Sequence, residues 1–189
     1  GNKYNYYLKC LNALFNLNSF EIVDATIGMI HGGSIVAVAK RKGLSKKSPN
    51  LLIFEELEKI YLNDLALKDF AVRCKSNIEN ITRLVNNISQ SGKTIYSYGA
   101  TAKGNTLLNS AGLDSNIISA CVDSTSIKQG KFLPGSTIPI ISEEEASENW
   151  PDFYFLTAWN YRDEIISKVR SSGNYHTRFI IPFPNVHIN

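Results

Sequence analysis

The stretch KTIYSYGATAKGNTLLNS, residues 93–110, gives the clearest fold signal in this chain of 189 residues. Its β-branched and aromatic run over 94–98 predicts a strand, the glycine-bounded segment 99–104 a loop, and 105–110 a helix. Strand-like and helical runs then alternate to the end of the chain: 117–122, 137–141, a helix after Ser142, 153–157, 160–171 and 177–181. This alternation predicts a parallel sheet with right-handed crossovers. We therefore expect a Rossmann-like, doubly wound α/β core over 93–189 with strand order 3-2-1-4-5.

The first half of the chain lacks this alternation and predicts additions to the core. Apolar spacing over 7–17 indicates a helix, and the runs Phe20–Ala25 and Ser34–Ala39 indicate a strand pair around a glycine turn. Helical spacing over 50–91, closed by a glycine, indicates a short helix followed by a long one. We expect one domain in three segments: an N-terminal helix and strand pair (1–48), a helical segment (49–92) and the core (93–189).

Two features predict what lies at the edges of the core sheet. Pro139 has no N–H to donate to a neighbouring strand, so the third core strand should lie at an edge. The N-terminal strand pair is also expected to join the sheet at an edge.

Composition excludes several classes of protein. Lysine and arginine number 20 against 17 acidic residues, and the net charge of +3 is too small and scattered to indicate nucleic-acid binding. No apolar run approaches the roughly 18 residues that span a bilayer, so we expect no membrane segment. The three cysteines, Cys10, Cys74 and Cys121, are far apart and form no C-x-x-C pair. That usage predicts neither a zinc site nor disulfides, and it indicates the cytoplasm.

The loop 99–104 is the strongest candidate binding site. In a doubly wound sheet, ligands bind beyond the carboxyl ends of the strands, where the strand order reverses. Gly99 and Gly104 match the outer glycines of G-x-G-x-x-G, whereas Thr101 replaces the middle glycine and partly blocks a pyrophosphate. The loop still opens a helix, whose N–H groups favour an anion, and Lys103 adds positive charge. These residues are consistent with phosphate binding or with a tight strand–helix turn.

Residues after the second and fourth core strands complete the expected crevice. Asp123 lies 24 residues after Gly99, where an acidic residue often accepts hydrogen bonds from a ribose but also serves as a turn cap. The run from there to Gly135 is dense in glycine, lysine and proline, and suits either wrapping a nucleotide or crossing the sheet edge. Asn160 follows the fourth strand. The histidines are weaker candidates: His31 in a glycine turn, and His176 and His187, expected at the surface.

The same loop resembles a known family signature. Residues 98–109, YGATAKGNTLLN, resemble the Y-G-A-x-A-K-G-N-T-L-L-N signature of the C-terminal domain of S-adenosylmethionine-dependent sugar C-methyltransferases. The resemblance continues through segments that nearly cover the chain: FEIVD (20–24), IHGGS (30–34), VD (122–123), KQGKFLPGS (128–136), IPI (138–140) and WNYRDEI (159–165).

The resemblance implies a function for the chain and a role for regions outside it. Such a domain holds a nucleotide-linked keto sugar, while upstream zinc-binding and S-adenosylmethionine-binding domains of the same parent complete the enzyme. The family's His-Glu-His run aligns at or before Gly1, so we expect no catalytic residue, no donor binding and no metal in this chain. The residues expected to bind substrate are His31, Gly32, Gly33, Ser34, Gly99, Ala100, Thr101, Ala102, Lys103, Gly104, Asn105, Asp123, Lys128, Gly130, Pro134, Gly135 and Asn160.

Two other interpretations are open on the residues alone. A non-catalytic Rossmann-like module would bind a nucleotide, NAD or CoA, and an interaction domain would use the loop 99–104 only as a turn. Donor-binding and cysteine-rich sequence upstream of Gly1 would favour the methyltransferase.

Overall fold

The computed structural model describes residues 7–28 and 34–189. The elements in chain order are α1 (Leu8–Leu17), β1 (Phe20–Gly28), β2 (Ser34–Arg41), α2 (Pro49–Tyr61), α3 (Asp64–Gln90), β3 (Ile95–Tyr98), α4 (Ala102–Ser110), β4 (Ala120–Val122), β5 (Ile140–Ile141), α5 (Glu143–Glu148), β6 (Phe153–Leu156), α6 (Arg162–Ser171), β7 (Arg178–Ile181) and β8 (His187–Ile188). Short 3-10 turns lie at Ser126–Lys128 and Trp159–Tyr161.

Six strands form one sheet in the order β5-β4-β3-β6-β7-β8. The neighbours from β5 to β7 are parallel, and β8 is antiparallel to β7. Counted from β3 as the first core strand, this is the predicted order 3-2-1-4-5 with one antiparallel strand added. The Rossmann-like α/β fold is therefore confirmed.

Helices cover both faces of this sheet. Successive side chains of β6 enter opposite clusters: Phe153 and Phe155 pack with residues of α3 and α4, whereas Tyr154 and Leu156 pack with residues of α5 and α6. Burial on both faces explains why this strand has a continuous apolar sequence instead of alternating with polar residues.

One of the two edge predictions is confirmed and the other is wrong. The strand that follows Pro139, β5, lies at the edge of the sheet, as predicted. The N-terminal strands β1 and β2 pair with each other in antiparallel register and form a separate two-stranded sheet. Strand β8 occupies the edge opposite β5, and with only two residues it is too short for a sequence pattern to predict.

Several element boundaries also differ from the sequence-based prediction. Helix α4 begins at Ala102, three residues earlier than expected, because Thr101 caps it. Strand β4 omits residues 117–119, since the N–H groups of Ile117 and Ile118 both bond to the carbonyl oxygen of Asp114 in a turn. Strand β5 is limited to Ile140–Ile141.

The chain divides into two compact units, Gly1–Val72 and Arg73–Asn189. In the first unit, α1, β1 and α2 enclose a small core of Leu8, Ile22, Ala25 and Leu51. The opposite face of α2 exposes five large apolar side chains: Leu52, Ile53, Leu57, Ile60 and Tyr61. Within the described residues, no helix combines the length and apolar character needed to cross a membrane.

Candidate functional site

The loop Gly99–Gly104 lies at the carboxyl end of β3, between its neighbours β4 and β6. The first crossover leads through α4 to β4, while β6 lies on the other side of β3, so the strand order reverses at this point. The N–H of Gly99 bonds to the carbonyl oxygen of Val122 at 2.8 Å, and that of Ala158 bonds to Tyr98 at 3.2 Å. The loop is therefore held against the ends of both neighbouring strands, at the usual ligand position of this fold.

Gly99 and Gly104 are required by close packing against the end of β6. A Cβ on Gly104 would lie 2.4 Å from Cβ of Thr157, and one on Gly99 would lie 2.7 Å from Cβ of Ala158. Gly99 also has φ +104°, a backbone conformation that strongly favours glycine. Gly99 thus permits the tight turn and Gly104 the close packing of α4 on the sheet, which are the roles of the first and third glycines in dinucleotide-binding loops.

The start of α4 is a capped helix N terminus. The hydroxyl of Thr101 accepts a hydrogen bond from Gly104 N–H at 3.0 Å and lies 3.2 Å from the carbonyl oxygen of Thr157, to which it donates. Ala102 and Lys103 form the exposed first turn, and Asn105 N–H closes it by bonding to Thr101 at 2.9 Å. The positive end of the helix dipole and the lysine ammonium both favour an anion at this position.

Asp123 and Lys128 are brought directly to the loop. The carboxylate of Asp123 accepts Ala100 N–H at 2.7 Å and Thr125 N–H at 2.9 Å. The ammonium of Lys128 lies 3.1 Å from the same carboxylate and 3.1 Å from the carbonyl oxygen of Ala100. Burial alone would raise the pKa of Asp123, but the hydrogen bonds from Thr125, Ala100 and Lys128 outweigh burial and lower it.

Three other predicted residues, Gly130, Pro134 and Gly135, lie away from the capped end of α4. The side-chain amide of Asn109 donates to Pro134 at 3.0 Å, and a Cβ on Gly135 would collide with that side chain at 2.2 Å. Asn109 is seven residues after Ala102, which places this turn roughly 10 Å along the helix from the capped end. The turn containing Pro134 and Gly135 therefore packs against the far end of α4. Gly130 instead contacts the edge strand β5, where its N–H donates to the carbonyl oxygen of Ile140 at 2.9 Å.

The residues after β6 supply a structural group that the sequence analysis missed. Thr157 is 1% exposed, and its hydroxyl oxygen lies 2.6 Å from the carbonyl oxygen of Gly99 and 2.7 Å from that of Tyr98. The predicted Asn160 lies three residues later in an exposed 3-10 turn. Nothing in its own segment marks Thr157, because its two hydrogen bonds reach across 59 and 58 residues of the chain.

Three remaining predictions concern the glycine turn and the histidines. His31, Gly32 and Gly33 lie outside the described residues, and Ser34 is the first residue of β2. His176 and His187 are exposed, as predicted. Among residues 7–28 and 34–189, no group of three or more His, Cys, Asp or Glu side chains could hold a metal ion.

A small cleft lies beside the end of β3, on the face of the sheet covered by α5 and α6. Its volume is about 220 Å³, and its lining includes Tyr98, Glu143, Tyr154 and Lys168. Tyr98 donates to Glu143 at 2.6 Å, and Lys168 donates to the same carboxylate at 2.7 Å. Burial, together with the neighbouring Glu143, raises the pKa of Tyr98, so this hydroxyl stays protonated as a donor.

Comparison with known proteins identifies the family that this fold and loop define. A family model described as the C-methyltransferase C-terminal domain matches residues 29–184. The chain belongs to this family, and the predicted family assignment is confirmed.

A curated relative shows the same relationship across nearly the whole chain. The C-methyltransferase NovU of Streptomyces niveus is 36% identical over 185 residues, which is 96% of this chain and 44% of NovU. The chain thus spans less than half the length of this relative.

Proposed function

We propose that this chain binds the methyl acceptor of a C-methyltransferase, a nucleotide-linked keto sugar, and that the loop Gly99–Gly104 holds its diphosphate. The observation that supports this most is the Thr101-capped N terminus of α4 at the strand-order reversal. There the helix N terminus and Lys103 favour two negative phosphates. The nucleoside would then extend along the ends of β3 and β4.

The same charges argue against this loop as a site for the methyl donor. S-adenosylmethionine carries a sulfonium cation, which the positive helix end and Lys103 would repel. When bound in such an enzyme, the donor supplies the methyl group. We propose that it is held by the S-adenosylmethionine-binding domain of a longer parent enzyme, which also contains the zinc-binding domain and the base.

Transfer between two such domains requires the acceptor carbon and the donor methyl to meet in line. A surface on this chain must then contact the donor-binding domain. The exposed apolar face of α2 includes Ile53, Leu57 and Ile60 at helical spacing. We propose that this face of the first unit makes the contact with the donor-binding domain. The free thiols of Cys10, Cys74 and Cys121 support a cytoplasmic location.

Lys103→Ala tests the proposed diphosphate site. We expect this substitution to weaken binding of a dTDP-sugar by about 1–3 kcal/mol, the range for a hydrogen bond to a charged group, or about 5- to 150-fold. Isothermal titration calorimetry measures it directly. Lys93→Ala is the control, because Lys93 pairs with Asp152 at 3.0 Å just before β3 and β6 begin, at the end of these strands opposite the loop. This substitution should leave the affinity unchanged. An unaltered affinity in Lys103→Ala would remove this lysine from the site, and tighter binding of NAD or CoA would favour a different ligand.

The turn His31–Ser34 provides a second test. We propose that its glycine N–H groups, His31 and Ser34 contact the sugar or a phosphate, as the family resemblance implies. His31→Ala and Ser34→Ala should then lower affinity for the sugar nucleotide and leave the Tm nearly unchanged. Normal binding with a reduced Tm in both variants would instead assign the turn a purely structural role.

A further inference from the structure

Both backbone polar groups of Ala100 are bound by a single ion pair. Its N–H donates to Asp123 at 2.7 Å, and its carbonyl oxygen accepts from the ammonium of Lys128 at 3.1 Å. The lysine also pairs with Asp123 at 3.1 Å, so the three residues form a closed ring of contacts. Ala100 lies between the positive-φ Gly99 and the helix cap Thr101, which makes it the middle one of the three residues that connect β3 to α4.

The hydrogen-bonding capacity of Asp123 is largely used by this ring and its neighbours. The residue is 7% exposed, and a buried carboxylate is costly unless it is paired and hydrogen-bonded. Its oxygens accept from Ala100, Thr125 and Lys128, and an ionised carboxylate has about four acceptor positions. Gln129 also donates to the Asp123 carbonyl oxygen at 3.0 Å, which fixes the segment that carries Lys128. Little capacity is left for a ribose hydroxyl.

The other side of the loop is fixed by β6. The hydroxyl of Thr157 lies within 2.7 Å of the carbonyl oxygens of Tyr98 and Gly99, and Thr101 bonds back to the Thr157 carbonyl at 3.2 Å. The loop is therefore held from β4 by a charged pair and from β6 by a buried threonine. A site held in this way needs little ordering when a ligand arrives, which strengthens binding.

We infer that Asp123 and Lys128 are positioning residues that clamp Ala100 and hold the start of α4 in its anion-binding geometry. This inference rests on the proposed function and changes the expected role of both residues, which the sequence analysis gave as direct substrate contacts, Asp123 as a partner of the ribose. Loss of a clamp should lower the affinity for any anion that binds at the loop. Loss of a ribose or base contact should lower the affinity only for a ligand that has a nucleoside.

Two probes separate these roles: thymidine diphosphate and inorganic pyrophosphate, which lacks the nucleoside. We expect Lys128→Met and Asp123→Asn each to lower the affinity for both probes by about tenfold, the effect of losing one charge-assisted hydrogen bond. The double variant should bind the probes no more weakly than either single variant, because either substitution alone already removes the clamp. Lys131→Met is the matched control, since it removes an exposed lysine from the same segment. Weaker thymidine diphosphate binding with unchanged pyrophosphate binding would overturn the clamp and leave the proposed function intact.

Amide hydrogen exchange tests the clamp without a ligand. In the double variant, the amides of Ala100 and Thr101 should exchange at least tenfold faster, whereas core amides such as those of Phe155 and Ile180 should keep their protection. That pattern distinguishes a local clamp from general destabilisation. Unchanged exchange at Ala100 would overturn the inference. Failure of the unsubstituted chain to bind either probe would overturn the proposed function, and the exchange result would still decide the clamp.

Discussion

Gly104→Ala should destabilise the protein, although alanine is the better helix former by about 1 kcal/mol at an open position. The added methyl would lie 2.4 Å from Cβ of Thr157 and 2.9 Å from the Thr101 hydroxyl oxygen, both in the packed junction of α4 with β6. Overpacking of this kind costs about 1–3 kcal/mol. Thermal unfolding should show a Tm lowered by about 2–4 °C for each kcal/mol lost.

Gly28→Ala is the matched control for this prediction. A methyl there would meet its nearest neighbour at 3.7 Å, an ordinary contact, so its Tm should stay close to that of the unsubstituted protein. If Gly104→Ala were as stable as this control, the close approach of α4 to β6 would not exist in solution.

The chain by itself should show no methyl transfer from S-adenosylmethionine to a 4-keto sugar nucleotide. The family match covers a C-terminal domain, and the positive charge at α4 disfavours a sulfonium. The base and the donor site are proposed to lie in other domains. A radiolabelled-methyl assay with purified chain measures the rate, and calorimetry with S-adenosylmethionine should show no binding at concentrations where a dTDP-sugar saturates.

A full-length C-methyltransferase such as NovU of Streptomyces niveus, assayed with its own acceptor, provides the positive control for methyl transfer. Measurable turnover by this chain alone would contradict the proposed division of labour. It would also make His31 the first candidate for the base, because it lies in the glycine turn that resembles the family's H-G-G-S segment.

The parallel core was predictable because each of its strands is buried on both faces. Residues 153–156 therefore form a continuous apolar and aromatic run, and residues 94–98 form a β-branched and aromatic run broken only by Ser97. The order of the strands follows from crossover rules. Pro139 predicted the edge position of β5 for a specific chemical reason, its missing N–H. The start of α4 was misplaced because the capping role of Thr101 depends on its hydroxyl reaching Gly104 N–H, a contact that sequence spacing alone did not select.

The contacts that assemble the site were less predictable because they join distant parts of the chain. Asp123 was selected as a candidate from its position after a strand, but its bond to Ala100 spans 23 residues. Thr157 bonds across 58 residues to Gly99, and nothing in its own segment marks it as functional. The wrong placement of β1 and β2 has a similar cause, since β-rich sequence predicts a strand but does not define its partner.

The central claim is that the first turn of α4 binds a diphosphate. It is tested most directly by titrating thymidine diphosphate into isotope-labelled protein and following the backbone amides by NMR. We predict that the largest shift changes fall on Ala100 to Asn105, with smaller ones at Asp123 and Ser124. Changes confined to the cleft around Glu143, Tyr154 and Lys168, or no saturable changes at all, would contradict the account.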